Sequence, residues 1–194
     1  MSFPGNCYYN HDKKIMWLDI PKNASKSVSR HLWISKEWKS GNYIEDGIYD
    51  YKAYGVIREP ISRWFASTVE IAYHHLQSRL FNYSVIEPWF KAHEYYVEFD
   101  RKRNLHHQRR DYFVSDKIKD MNWIAMDERF EDRICNALGI EKPLFRLNIA
   151  EENEHKLELR KHIEHLKNDE TFMTKLKEYY KPDTEIFEKA KENE

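Results

Sequence analysis

The chain has 194 residues, a length that fits one domain with a modest core. Hydrophobic residues make up 41% and charged residues 34%, which excludes a disordered chain and fits a soluble globular one. The net charge of −1 excludes a global electrostatic pull toward nucleic acid or an anionic membrane, so an anion site has to be a local concentration of charge.

Met1 to Asn10 has no basic flank followed by an apolar stretch, so no signal peptide is expected. Lys14 to Ile20 is a short apolar run with a charged start and reads as a buried strand ended by Pro21. Val28 to Ile34 has the apolar spacing of a helix, with Ser25 or Asn23 as its cap. Lys39 to Asp50 holds Gly41 and Gly47 and is expected to be a loop. Tyr51 to Ile57 reads as a second strand, closed by Arg58-Glu59-Pro60, with Pro60 in the first turn of the next helix. Ile61, Trp64, Phe65, Thr68, Val69, Ala72 and Leu76 follow at helical spacing.

Residues 84–99 are expected to be helical. Trp123 to Met126 reads as a strand and Phe130 to Leu138 as a helix that stops at Gly139. Lys156 to Ala190 reads as two or three amphipathic helices, with Pro182 opening the last. Two strand–loop–helix units predict an α/β fold of three layers, a central parallel sheet flanked by helices. The expected organisation is a single domain over 1–194 with a helical C-terminal part at 151–194. Cys7 and Cys135 are the only cysteines, which excludes a disulfide scaffold. No apolar run is long enough to span a bilayer. A cytoplasmic protein is the expectation.

The first loop, Pro21-Lys-Asn-Ala-Ser-Lys-Ser27, has the makings of a phosphate site. At a strand-to-helix turn, unpaired N–H groups and the helix dipole both face an anion. Ala24 and Ser25 are small enough for backbone to approach phosphate, Ser27 offers a hydroxyl, and Lys22 and Lys26 offer charge. A plain helix start with solvated lysines has the same composition. Ser25-Lys26-Ser27 also echoes the end of a P-loop, although Ile20 and Ser25 hold the places of its two glycines.

Ile20-Pro-Lys-Asn-Ala-Ser-Lys-Ser27 after an apolar strand resembles the 5′-phosphosulfate motif of carbohydrate sulfotransferases of the heparan 2-O- and chondroitin type. These enzymes use PAPS, 3′-phosphoadenosine 5′-phosphosulfate. Asn23 and Lys26 stand where threonine is usual. Tyr54-Gly-Val-Ile-Arg-Glu-Pro-Ile-Ser-Arg-Trp-Phe-Ala-Ser67 is similar to the same family's 3′-phosphate motif. The family's helix serine falls at Ala66 here, and Ser67 is one position later.

The resemblance implies a P-loop-like nucleotide-binding topology, with a phosphosulfate loop at 20–28 and a 3′-phosphate motif at 54–67. It implies that Lys22 neutralises charge on the departing phosphate. It implies that Asn23, Ala24, Ser25, Lys26 and Ser27 cradle the phosphosulfate, and that Arg58 and Ser67 take the 3′-phosphate. Guanidinium suits that last task because its donors form a planar fork. Asn104-Leu-His-His-Gln108, Asn148, and Tyr180 to Asp183 with Phe187 resemble further stretches of the family.

Sulfuryl transfer needs a base near the lysine. His106 and His107 are favoured for it over His31 and Glu59, because the resemblance puts them on the acceptor side. A salt bridge to Arg63 is the plainer role of Glu59. No metal is expected, since the adjacent pairs His74-His75 and His106-His107 are not ready chelates. The expected partners are the nucleotide co-substrate and a hydroxyl-bearing acceptor, a saccharide or another small molecule, without membrane or dedicated nucleic-acid binding. Two alternatives stand beside this reading. One is a P-loop-like kinase or NTPase with Asp19 or Asp127 as metal ligand. The other is a non-catalytic nucleotide- or RNA-binding module built on the aromatics and the basic run 101–110.

Overall fold

The computed structural model describes residues 5–20, 25–77, 109–141 and 153–192. The chain divides into two compact units: Met1–Pro60 with Arg109–Leu147 and Asp183–Glu194, and Ile61–Gln108 with Asn148–Pro182.

The first unit is built on a five-stranded sheet. Strands β1 (Asn6–Asn10) and β2 (Ile15–Leu18) are joined by the turn at residues 11–14, where Lys14 takes a left-handed φ of 55°. A connection that short has no room for a crossover, so the pair is antiparallel, with Cys7 opposite Leu18. Helix α1 (Ser25–Ile34) follows β2. Strand β3 (Lys39–Asn42) pairs antiparallel with the far edge of β1. Strand β4 (Lys52–Ile57) lies parallel to β2, and β5 (Met121–Ala125) lies parallel to β4. The order is β3-β1-β2-β4-β5.

The sheet is therefore mixed, where a parallel one was expected. The difference comes from two strands on one side. Both β1 and part of the expected loop, Lys39 to Asn42, join as antiparallel strands. Backbone pairing with β1 holds Lys39–Asn42, and all four of its residues are exposed or half-buried, so it carries no apolar signature.

Period-two alternation sends Trp17, Val56 and Ile124 to one face of the sheet, against Val28 and Leu32 of α1 and against Ile134, Cys135 and Leu138 of α3 (Phe130–Leu138). Fully burying each such aliphatic side chain is worth about 1.5–3 kcal/mol. Gly139 stops α3 at a φ of 64°, and its N–H closes on the Cys135 carbonyl. On the other face Ile57, Trp123 and Ala125 meet Ile186, Phe187 and Ala190, from the end of helix α5 (Glu170–Glu192). Gly55 permits that packing: a Cβ there would stand 2.9 Å from the Trp123 ring and 2.6 Å from the Met121 methyl.

The described part of the second unit is helical. Helix α2 (Pro60–Gln77) starts on its proline, whose missing N–H is one the first turn leaves unbonded anyway. Trp64, Val69, Ala72 and Leu76 meet Leu159 and Ile163 of α4 (Glu154–Glu164) and Phe172, Leu176 and Tyr180 of α5. The Asn153 side chain caps α4 by accepting the His155 N–H at 3.0 Å. Pro182 does not open a new helix as expected. It lies inside α5, which continues through it with one backbone hydrogen bond missing. Among the described residues no helix is long and apolar enough to cross a membrane. The expected helix over 84–99 lies outside the described residues.

Candidate nucleotide site

Strands β2 and β4 are parallel neighbours, with Trp17 opposite Tyr54. Their carboxyl ends therefore open at the same edge of the sheet, on neighbouring strands about 4.8 Å apart, with β4 running two residues further than β2. In open α/β sheets, ligands settle outside such carboxyl ends. From β2 the chain passes Asp19 and the fully buried Ile20, and enters α1 at Ser25. Lys22, Asn23 and Ala24 lie between these points and outside the described residues. Lys26 is exposed and Ser27 half-buried in the first turn of α1, which holds no acidic residue. The positive end of that helix is thus left without a carboxylate of its own.

A polar contact ties α1 to the end of β2. The Ser29 hydroxyl donates to the Asp19 carboxylate at 3.4 Å. Tyr8 on β1 belongs to the same cluster. Burial and then the Asp19 charge push its phenol upward, against a hydrogen bond from Ser29 that pulls it down.

Arg58 follows the last residue of β4 and is half-buried, as is Glu59. The pairing of β4 with β5 is extended there, because the Met126 N–H donates to the Ile57 carbonyl at 2.8 Å. Next to Met126, Asp127 forms an ion pair with Arg133 of α3 and accepts the Arg129 N–H at 3.0 Å. Burial raises the Asp127 carboxyl, but the Arg133 hydrogen bond and charge, with the Arg129 N–H, outweigh it and hold the group below its usual value. Arg133 also donates to the carbonyls of Ala125 and Ala190, each at 3.3 Å. This brace fixes the strand ends beside Arg58 and has no signature in the sequence, since its two residues share neither strand nor helix periodicity.

The rest of the second motif lies in the helical unit. Arg63 is 1% exposed, and its guanidinium stands 5.4 Å from the Tyr180 ring centroid. Ser67 is 0% exposed, while Ala66, at the family's serine position, is half-buried. Both Arg63 and Ser67 are thus core residues of that unit.

Of the candidate bases, His31 is half-buried on α1, one turn after Ser27. His106 and His107 lie outside the described residues, as do Asn104 to Gln108 and Asn148. The closing segment has structural work. Tyr180 is buried beneath Arg63. In the first unit, both Asp183 oxygens accept the Arg110 N–H, at 3.3 and 3.2 Å, and Phe187 packs on Ile57 and Ala125. Both cysteines are free and buried, and burial pushes the Cys7 thiol up to about 12, which leaves it no nucleophile at neutral pH. Among the described residues no group of three or more His, Cys, Asp or Glu is placed to hold a metal ion. Comparison with protein-family models, with curated proteins and with solved structures finds no match.

Proposed function

We propose that this chain is a PAPS-dependent sulfotransferase that uses its α/β unit as a P-loop-like nucleotide-binding scaffold. One observation carries the reading: β2, which leads into the first motif, and β4, which leads to Arg58, are adjacent and parallel, so the first loop and Arg58 follow strand ends at the same edge of one sheet. A nucleotide with a phosphosulfate at one end and a 3′-phosphate at the other needs two anion sites at such an edge. The segment from Lys22 to Ser27, which in sequence leads into α1, takes the phosphosulfate, and Arg58 takes the 3′-phosphate.

In the reaction the acceptor oxygen attacks sulfur. The new S–O bond forms as the bond from sulfur to the phosphate oxygen breaks in line with it. Lys22 stabilises the charge that collects on the departing adenosine 3′,5′-bisphosphate, and His106 or His107 takes the acceptor's proton. The acceptor is a hydroxyl of a saccharide or of another small molecule. A cytoplasmic setting suits the two free, buried thiols. Against the kinase alternative, Asp127 is committed to Arg133 and to the Arg129 N–H.

The test is release of adenosine 3′,5′-bisphosphate from PAPS in the presence of a hydroxyl-bearing acceptor panel. Lys22→Ala is expected to abolish turnover with an unchanged circular dichroism spectrum. Undiminished turnover in that variant removes the lysine from the mechanism.

A further inference from the structure

We propose that the α/β unit carries a second small-molecule site, separate from the nucleotide loops, that takes a flat aromatic monocarboxylate. An open cavity of about 570 Å³ lies at the amino end of β5, with Arg110, Ile118, Met121, Trp123 and Ile186 in its lining. Because β4 and β5 run parallel, this is the opposite end of the sheet from Arg58.

Among the described residues no carboxylate forms an ion pair with the guanidinium of Arg110, the cation in the cavity lining. The Arg110 guanidinium stands 6.0 Å from the Trp123 ring centroid, and its buried Nε has no hydrogen-bond partner among the described residues. The nearby carboxylates accept hydrogen bonds from other donors. Asp111 grips the Arg109 side chain with both oxygens. Asp116 accepts from the Ser115 hydroxyl at 3.5 Å. Asp183 gives both oxygens to the backbone N–H of Arg110. A guanidinium partly withdrawn from water lacks its hydration on one side, and an incoming carboxylate supplies the bidentate partner that its fork fits.

The rest of the lining selects the body of the ligand. Trp123, Met121, Ile118 and Ile186 form an apolar surface on which a flat ring can lie. That surface is preformed. Gly55 lets Trp123 seat against β4. The Tyr43 hydroxyl clamps the segment that borders the cavity, donating to the Phe113 carbonyl at 2.9 Å and accepting the Ser115 N–H at 2.8 Å. Asp111 and Asp116, also in the lining, repel a dianion about twice as strongly as a monoanion, so one negative charge is preferred to phosphate.

Calorimetric titration of the full chain with 2-naphthoate tests this, against 2-naphthalenemethanol and inorganic phosphate as controls. Saturable naphthoate binding is expected. The uncharged alcohol should bind about tenfold more weakly or worse, as should naphthoate to Arg110→Gln. Ile186→Trp fills the cavity and should abolish binding without touching the charge. Excess adenosine 3′,5′-bisphosphate should leave naphthoate affinity unchanged, so the result is independent of the sulfotransferase reading. Arg110→Gln should keep the wild-type circular dichroism spectrum, because the backbone N–H that Asp183 holds is unchanged. Absence of saturable naphthoate binding, equal affinity for the alcohol, or unchanged affinity in Arg110→Gln overturns the proposal.

Discussion

Arg133→Met removes the brace that holds the ends of β4 and β5 beside Arg58. Arg133 pairs with Asp127 and donates to the Ala125 and Ala190 carbonyls. The two side chains of the pair are only 18% and 19% exposed. Methionine keeps most of the aliphatic volume, so the loss is chiefly polar. A hydrogen bond to a charged group is worth about 1.5–3 kcal/mol, and the two long carbonyl bonds about 0.5 kcal/mol each. The expected deficit is about 2.5–4 kcal/mol at pH 7, close to the ~3–5 kcal/mol found when one partner of a buried pair is removed.

The pH dependence has a definite sign. The Asp127 carboxyl is held below its usual value in the folded chain. Its contribution is therefore fully present above the unfolded pKa of about 3.9 and is lost as pH falls through the folded value. Urea unfolding of wild type, Arg133→Met, Asp127→Asn and the double variant, from pH 7 down to pH 3, gives both the coupling and its pH course. A deficit under ~1 kcal/mol at pH 7, or one that stays constant down to pH 3, refutes this account of the brace.

Two further perturbations probe the scaffold. Gly55→Val should cost about 1–3 kcal/mol in urea unfolding, since the Trp123 ring lies 2.9 Å from the new Cβ position, and no loss would mean that Trp123 is not seated on β4. Pro182→Ala should raise the unfolding midpoint, by up to ~3 kcal/mol, because alanine restores the N–H that α5 lacks at that turn; an unchanged or lower midpoint contradicts a continuous helix there.

The elements that could be read from the sequence are those with an apolar face and a hard boundary. β2, β4 and α1 follow from short apolar runs near Pro21 and Arg58, α2 from the proline that opens it, and α3 from Gly139. β3 could not be read, since Lys39–Asn42 buries no side chain and is held by its backbone. Pro182 favours a helix start by its fixed φ, yet it also fits within a helix that tolerates one missing bond. Arg58 follows the end of β4, a boundary its neighbours Glu59 and Pro60 already mark in the sequence. The burial of Arg63 and Ser67 was invisible, because their unit's core includes Tyr180, far along the chain. The Asp127–Arg133 pair and the Asp183 contact to Arg110 were missed for the same reason: they join elements that no local pattern connects.

The most direct measurement is calorimetric titration of adenosine 3′,5′-bisphosphate into wild type and Arg58→Ala, run against ADP and ATP with and without Mg²⁺. A sulfotransferase binds the bisphosphate tightly without metal, and loss of the guanidinium weakens that binding by about tenfold or more. Preference for ATP with Mg²⁺, or bisphosphate affinity that is unchanged in Arg58→Ala, contradicts the assignment.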